Sequence, residues 1–474
     1  MKLYLKNNKF YLPLFSIITA FVFIKSPILN IYFTIISLIT IFTLFKHKII
    51  VTDNSLNKIL LIFFIYIVFN CLFNYYNNIQ PFFKGISQFR FYLIVIALQI
   101  FYSQIFKNIN YFFLTNLLFS VLIILDMMIQ YYTGTNILGF KSQLGGFRVT
   151  GIFNEELVAG GYIFAIGFLG LIYFLIKKNF LFFFLFLSFF IMGIILSGDR
   201  NPLMMVFLAI FFNLIFNKSL RKYFSYYLLV LVSVVILFIN FSEISYNRYI
   251  DDIKNSFNKS QPNFATLYWW LDHDKILLEK ELLKKDNNYE KIKVKLSENA
   301  LQFNFVKALE NKKKDYDQNI FLQKIFIFGN TNYGAHYLTA LEIIKKNIFF
   351  GTGIRSFRHE CQKYKNDIIS YNKNDGCTTH PHNLHLEIIS EIGLVGYIIF
   401  FCFIFNLFFR SITYNQSNST NKIVIIFISS LIFAQLFPFK PSGAIFSTWF
   451  GSQIWFTIAL NCLFLNRKIS KRDG

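Results

Sequence analysis

Apolar runs of bilayer length recur along most of this chain, and they restrict its fold more than any other feature. They occupy 10–24, 27–45, 59–76, 89–106, 111–132, 157–176, 180–197, 202–216, 223–241, 386–409, 422–438 and 444–464. About 20 apolar residues carry a helix across a hydrocarbon core. Inside lipid, every backbone N–H and C=O has to be satisfied within its own segment, so such runs read as helices. The sequence therefore predicts an all-α polytopic membrane protein with about 12 transmembrane helices. The first two runs, and 180–197 with 202–216, are close enough to form tight hairpins. The amino-terminal run follows Lys2, Lys6 and Lys9 and lacks a small-x-small cleavage site, so it reads as a retained helix and not as a signal peptide.

The net charge of +22 suggests nucleic acid at first sight. The Lys and Arg are instead spread over the short loops between apolar runs, without the aromatic-interleaved basic module of a nucleic-acid binder. Membrane topology accounts for them. With the N-terminus in the cytoplasm, about 18 lie on the inner side and about 7 on the outer side. Both termini then fall inside, and the polar stretch 242–385 falls outside. The chain divides on this reading into a bundle of nine spans at 1–241, a large outer loop domain at 242–385, and three spans with a cytoplasmic tail at 386–474. Within the loop, 264–318 reads as a solvated helical stretch, and the stretch around 250–330 has no assigned role. In 335–347, Leu338, Leu341 and Ile344 stand at helical spacing, which suits a helix lying along the membrane surface. The F-G-T-G-I-R-S-F-R turn follows. Its G-x-G has no preceding strand and no third glycine, so it is not a dinucleotide fingerprint.

The stretch Cys377–Gly396 turns the polar loop back into an apolar helix. Pro381 suits the first helical position, with Thr379 or His380 as the cap and His382 and Asn383 on the first turn, where free N–H groups suit a phosphate. Asn383, Glu387, Ser390 and Glu391 share a helical face. Buried carboxylates there call for partners or a wet cavity rather than lipid. Gly393 and Gly396 leave room for close helix packing. The H-x-H-x-x-H of His380, His382 and His385 has three readings: metal ligands, a general base acting on a hydroxyl, or polar residues at a helix end.

Cys361 and Cys377 both fall in the outer loop, where disulfides persist. A bridge would close a loop of about 15 residues, contributing about 3 kcal/mol. The rival is a zinc site of Cys361, Cys377, His380 and His382, whose spacing departs from two compact ligand pairs. The outer arginines Arg148, Arg200, Arg355 and Arg358 offer planar donor forks that fit phosphate oxygens. Each also reads as an interfacial or ion-paired arginine, Arg200 with its neighbour Asp199.

H-N-x9-G-x-x-G, formed by His382, Asn383, Gly393 and Gly396, resembles the signature of the bacterial O-antigen ligases and O-antigen polymerases. F-R-V-T-G-I-F-N around Arg148 and S-G-D-R-N-P around Arg200 resemble that superfamily's outer-loop arginine motifs. The resemblance implies a helical membrane glycosyltransferase of GT-C-like fold at the outer, periplasmic face of the bacterial inner membrane. It implies an undecaprenyl-diphosphate-linked glycan as donor, with no metal or other cofactor. His382 would activate the acceptor hydroxyl, and Arg148 and Arg200 would hold the diphosphate. The acceptor would be lipid A-core for a ligase, another lipid-linked repeat for a polymerase, or a protein hydroxyl. An arginine common in the family before the amphipathic loop helix is missing here. Asn332 or His336 would replace it, or Arg355 and Arg358 would serve. A transporter of lipid-linked sugars is the rival from another class; internal repeats and broken helices in matching halves would mark it, and neither is visible in the sequence.

Overall fold

The structure is a computed structural model describing residues 25–47, 55–74, 79–101, 105, 109–143, 148–241, 332–364, 376–414 and 419–465. The expected span at 10–24 and the stretch 264–318 lie outside these residues. The helices in order are α1 Ser26–His47, α2 Ser55–Phe73, α3 Ile79–Ile100, α4 Ile109–Thr133, α5 Ala159–Ile176, α6 Phe180–Leu196, α7 Arg200–Phe216, α8 Arg221–Phe241, α9 Asn332–Lys346, α10 Phe357–Glu360, α11 Leu384–Ile412, α12 Ser419–Leu436 and α13 Thr448–Leu465. Among the described residues, strand pairing is limited to the isolated bridges Thr135–Lys141 and Gln143–Arg148.

By length and composition, seven of these helices can cross a membrane: α1, α2, Phe82–Ile100 of α3, α4, α5, α11 and α13. Apolar helices α6, α7 and Thr420–Leu436 of α12 are shorter. The expected total of about 12 is not reached on this criterion among the described residues. Helix α3 begins ten residues before the apolar run at 89–106, because Gln80, Lys84, Ser87 and Gln88 interrupt the apolar residues of its first turns.

The chain forms two compact units, Met1–Asp251 with Val395–Gly474, and Asp252–Leu394. In the first, α13 is buried on every side from Phe450 to Phe464. It packs against α3 and α12; α1 and α2 also pack on α3, α4 on α5, and α7 on α12. Polar side chains join the helices inside. Asn461 donates to Ser429 at 2.8 Å and accepts from Ser411 at 3.1 Å, and Asn213 donates to Ser430 at 2.8 Å. Such bonds fix helix register where lipid supplies no hydrophobic drive between helices. Outward side chains are apolar: Phe42 is 64% and Phe45 81% exposed, as a lipid-facing belt requires. This is a multi-pass membrane protein.

In the second unit, α9 packs beside α10 and the following 3-10 turn Cys361–Tyr364. Its core is Ala340, Ile343, Phe357 and Cys361, with Leu338, Cys377 and Leu386 against it. The buried stripe of α9 is thus offset from the expected Leu338, Leu341 and Ile344. Leu341 is 42% exposed, whereas His336, Thr339, Ala340 and Ile343 are buried. Small residues on that face let neighbouring backbone approach, and hydropathy alone does not detect them.

Helix α11 is interrupted at Gly393, whose φ of 70° and ψ of 177° are far from helical. In an unbroken helix the carbonyls of Ser390 and Glu391 would accept from Leu394 and Val395. Here they accept from Thr352 N at 3.0 Å and Gly353 N at 2.7 Å, while Leu394 N donates to Ile348 O at 2.8 Å. The F-G-T-G turn is spliced into the break. A side chain on Gly393 would begin 2.1 Å from Phe349 O, and one on Gly351 would begin 2.5 Å from the Glu391 carbonyl carbon. The space that Gly393 leaves is filled by loop backbone rather than by another helix.

Candidate active site

The expected helix start needs correction. Helix α11 begins at Leu384, and its cap is Asn383, whose Oδ1 accepts from His385 N at 3.0 Å and Leu386 N at 3.1 Å. Asparagine is a favoured cap because its side chain satisfies the first free N–H groups. His382 therefore precedes the helix, with φ of 56°, and does not stand on its first turn. Two of the N–H groups expected to meet a phosphate are already taken by Asn383. The signal was in the sequence: Asn before a Leu-started apolar run is as good a cap as the residues preceding Pro381.

His382 is packed among rings. The His380 centroid lies at 4.2 Å, that of His336 at 5.3 Å and that of Tyr333 at 5.4 Å. The Tyr337 hydroxyl donates to His382 O at 3.4 Å and is also hydrogen-bonded to the Asn383 side chain. His380 is positioned by Thr379 Oγ1 at 2.9 Å from its Nδ1 and by Thr378 Oγ1 donating to its carbonyl. Burial, then the neighbouring His380 and His336, pull the His382 pKa down to about 3. Its imidazole is therefore neutral near pH 7, with a free lone pair on the ring, and the same lowering makes it a weaker base than an exposed histidine. His336 is 4% exposed and stands beside His382 by way of α9.

Arg355 and Arg358 come in on the spliced turn. Glu391 Oε2 accepts the Arg355 N–H at 2.6 Å, and its Oε1 accepts the Phe357 N–H at 3.4 Å. Burial and nearby Arg358 lower the Arg355 pKa, with Glu391 and Glu387 acting in the opposite direction. The two guanidiniums thus share an environment with the two helix carboxylates. Glu387 and Glu391 are 1% and 0% exposed, so these charges face partners, as the cost of burying them demands. A disulfide joins Cys361 to Cys377, Cα–Cα 5.2 Å. It ties the end of the turn to the strand of chain leading to His380, and it removes both sulfurs from the alternative zinc set. Gly396 lies just past the break, its backbone hydrogen-bonded to Tyr66.

In the membrane unit, Arg148 is held by a backbone pair with Gln143 (Gln143 N to Arg148 O 2.8 Å, Arg148 N to Gln143 O 3.2 Å). Its Nη1 is 3.0 Å from Asp199 Oδ1. Asp199 Oδ2 also accepts from Gly160 N at 3.3 Å. Gly160 permits this approach, since a side chain there would begin 2.5 Å from Ser197 Oγ. Arg200 is the first residue of α7, directly after its N-cap Asp199. The carboxylate that adjacency assigned to Arg200 is thus one that Arg148 engages from 51 residues away, a pairing no local pattern reveals.

Residues 183–401 match the family model Wzy_C, described as O-antigen ligase. That match supports a likeness of this segment to the O-antigen ligase/polymerase superfamily. The matched segment contains Arg200, Arg355, Arg358, His382, Asn383, Gly393 and Gly396, while Arg148 lies before it. Among curated proteins none matches the chain. The match suggests glycosyltransferase-like chemistry in general.

Proposed function

We propose that this protein transfers a glycan from an undecaprenyl-diphosphate donor to a sugar hydroxyl at the outer, periplasmic face of a bacterial inner membrane. The acceptor is lipid A-core or another lipid-linked repeat. The acceptor oxygen attacks the anomeric carbon while His382 takes the hydroxyl proton. The bond from that carbon to the phosphate oxygen breaks, and its electron pair leaves with the polyprenyl diphosphate. Arg148 and Arg200 hold that charge, with Arg355, Arg358, His336 and Asn383 as further substrate contacts. The donor bond is already activated, so positioning, proton removal and charge neutralisation suffice, and no metal is called for.

The observation that carries it is the neutral, ring-packed imidazole of His382 directly before a capped helix, inside the family-matched segment. General-base groups contribute about 10²–10⁴-fold. In proteoliposomes with polyprenyl-diphosphate glycan, His382→Ala is expected to insert normally and to lose transfer by about that factor. Near-normal transfer would remove the assignment. Arg200→Lys keeps the charge without the fork and is expected to impair transfer. Equal activity would end the bidentate phosphate reading at that position.

A further inference from the structure

The connection between α12 and α13, residues 437–447, carries a lysine that the transfer reading does not use. Lys440 is 1% exposed, and its Nζ has no hydrogen-bond partner. The contact it does make is with the Phe450 ring, 5.6 Å from Nζ to the centroid. Two residues on, Ser442 is 5% exposed and its Oγ is likewise without a partner. A buried ammonium without a counter-ion is unfavourable, and burial brings the Lys440 pKa down to about 7. A ring face offsets that cost only in part.

The surroundings point to what completes it. Helix α13 starts at Thr448, and its first turn touches two basic residues, Arg90 and Lys440. Arg90 Nη2 donates to Thr448 Oγ1 at 3.3 Å. The Trp449 ring lies 3.3 Å from where a side chain on Gly161 would begin, next to Gly160, which binds the Asp199 that pairs with Arg148. Phe450 carries Lys440. Arg148 thus has a carboxylate beside it, and among the described residues Lys440 has none. A helix amino terminus adds a positive field at the same place.

We infer that Lys440, with Ser442, forms a second oxyanion-binding site at the start of α13, taking a phosphate or carboxylate group of the substrate. The site itself rests on this geometry; that its ligand belongs to a lipid-linked glycan rests on the transfer reading. The ammonium supplies the charge and the Ser442 hydroxyl a donor. A phosphate would come from the donor's diphosphate, and a carboxylate from an acidic sugar.

The test uses the full-length protein in detergent, with inorganic pyrophosphate and glucuronate as probes, titrated by calorimetry and followed by thermal unfolding. In Lys440→Met and Lys440→Gln, affinity for one of the two probes is expected to fall at least tenfold. Without any anion, Lys440→Met is expected to unfold at a higher temperature than wild type, because an unmatched buried charge is gone. Loss of pyrophosphate binding identifies a phosphate; loss of glucuronate binding alone identifies a sugar acid. Unchanged affinity for both overturns the site, and so does a lower unfolding temperature for Lys440→Met with no anion present, which would make Lys440 an anchor on Phe450. A Lys440-dependent affinity in a protein that transfers no glycan would keep the site and remove the transferase reading.

Discussion

The two units handle charge in opposite ways. In the membrane unit, Arg148 is a permanent cation placed against a carboxylate, Asp199, which is itself fixed by the Gly160 N–H. In the second unit, His382 is kept uncharged by burial and by two adjacent imidazoles. A guanidinium cannot serve as a base near pH 7, because it stays protonated. A neutral imidazole carries no charge with which to hold a diphosphate. On the proposed reading, charge neutralisation falls to one unit and proton acceptance to the other. The contrast also explains why the second unit needs so much local construction: a positive-φ histidine has to be held by its surroundings, whereas a salt bridge largely holds itself.

Four substitutions sharpen that contrast, three in the second unit's scaffold and one in the membrane unit's ion pair. The largest effect is expected from Gly393→Ala. Its φ and ψ are nearly exclusive to glycine, and the new methyl would meet Phe349 O. A loss of more than about 4 kcal/mol, read as failure to accumulate folded protein, follows. Cys361→Ser should cost about 3 kcal/mol of the second unit's stability, measured by limited proteolysis with and without reductant. Glu391→Gln leaves one of two backbone N–H groups less well satisfied and should cost about 2 kcal/mol, visible as faster hydrogen exchange at Arg355 and Phe357. Arg148→Lys keeps the ion pair but loses the fork. It should slow transfer about tenfold, or ~1.4 kcal/mol, with little change in stability.

Much of the membrane unit was legible because bilayer thickness writes itself into the length of apolar runs, as in 27–45 for α1 and 444–464 for α13. The disulfide was legible from two outer-loop cysteines. Other features depend on contacts distant in sequence. Gly393 and the F-G-T-G turn are one structure, but each looks like an isolated glycine motif, because the apolar pattern of α11 runs straight through the break. Pro381 suggested an earlier helix start, and only the Asn383 side chain fixes it at Leu384. Lys440 stood as one more loop charge, since burial of a single amine leaves no mark on composition. Of the candidate site residues, His336, His382 and Asn383 are brought together, and Arg355 joins Arg358 beside Glu391.

The central claim is that His382 works as a neutral base, and the acid limb of kcat/KM for glycan transfer tests it most directly, since that limb reports the free enzyme. A pKa lowered to about 3 means that His382 stays unprotonated as pH falls through the ordinary histidine range. The rate constant is therefore expected to be flat from about pH 7.5 to about pH 5, and His380→Gln, by removing one neighbouring imidazole, should move the limb upward. A limb in the wild-type protein centred near the ordinary histidine value, about 6.5, would contradict the account.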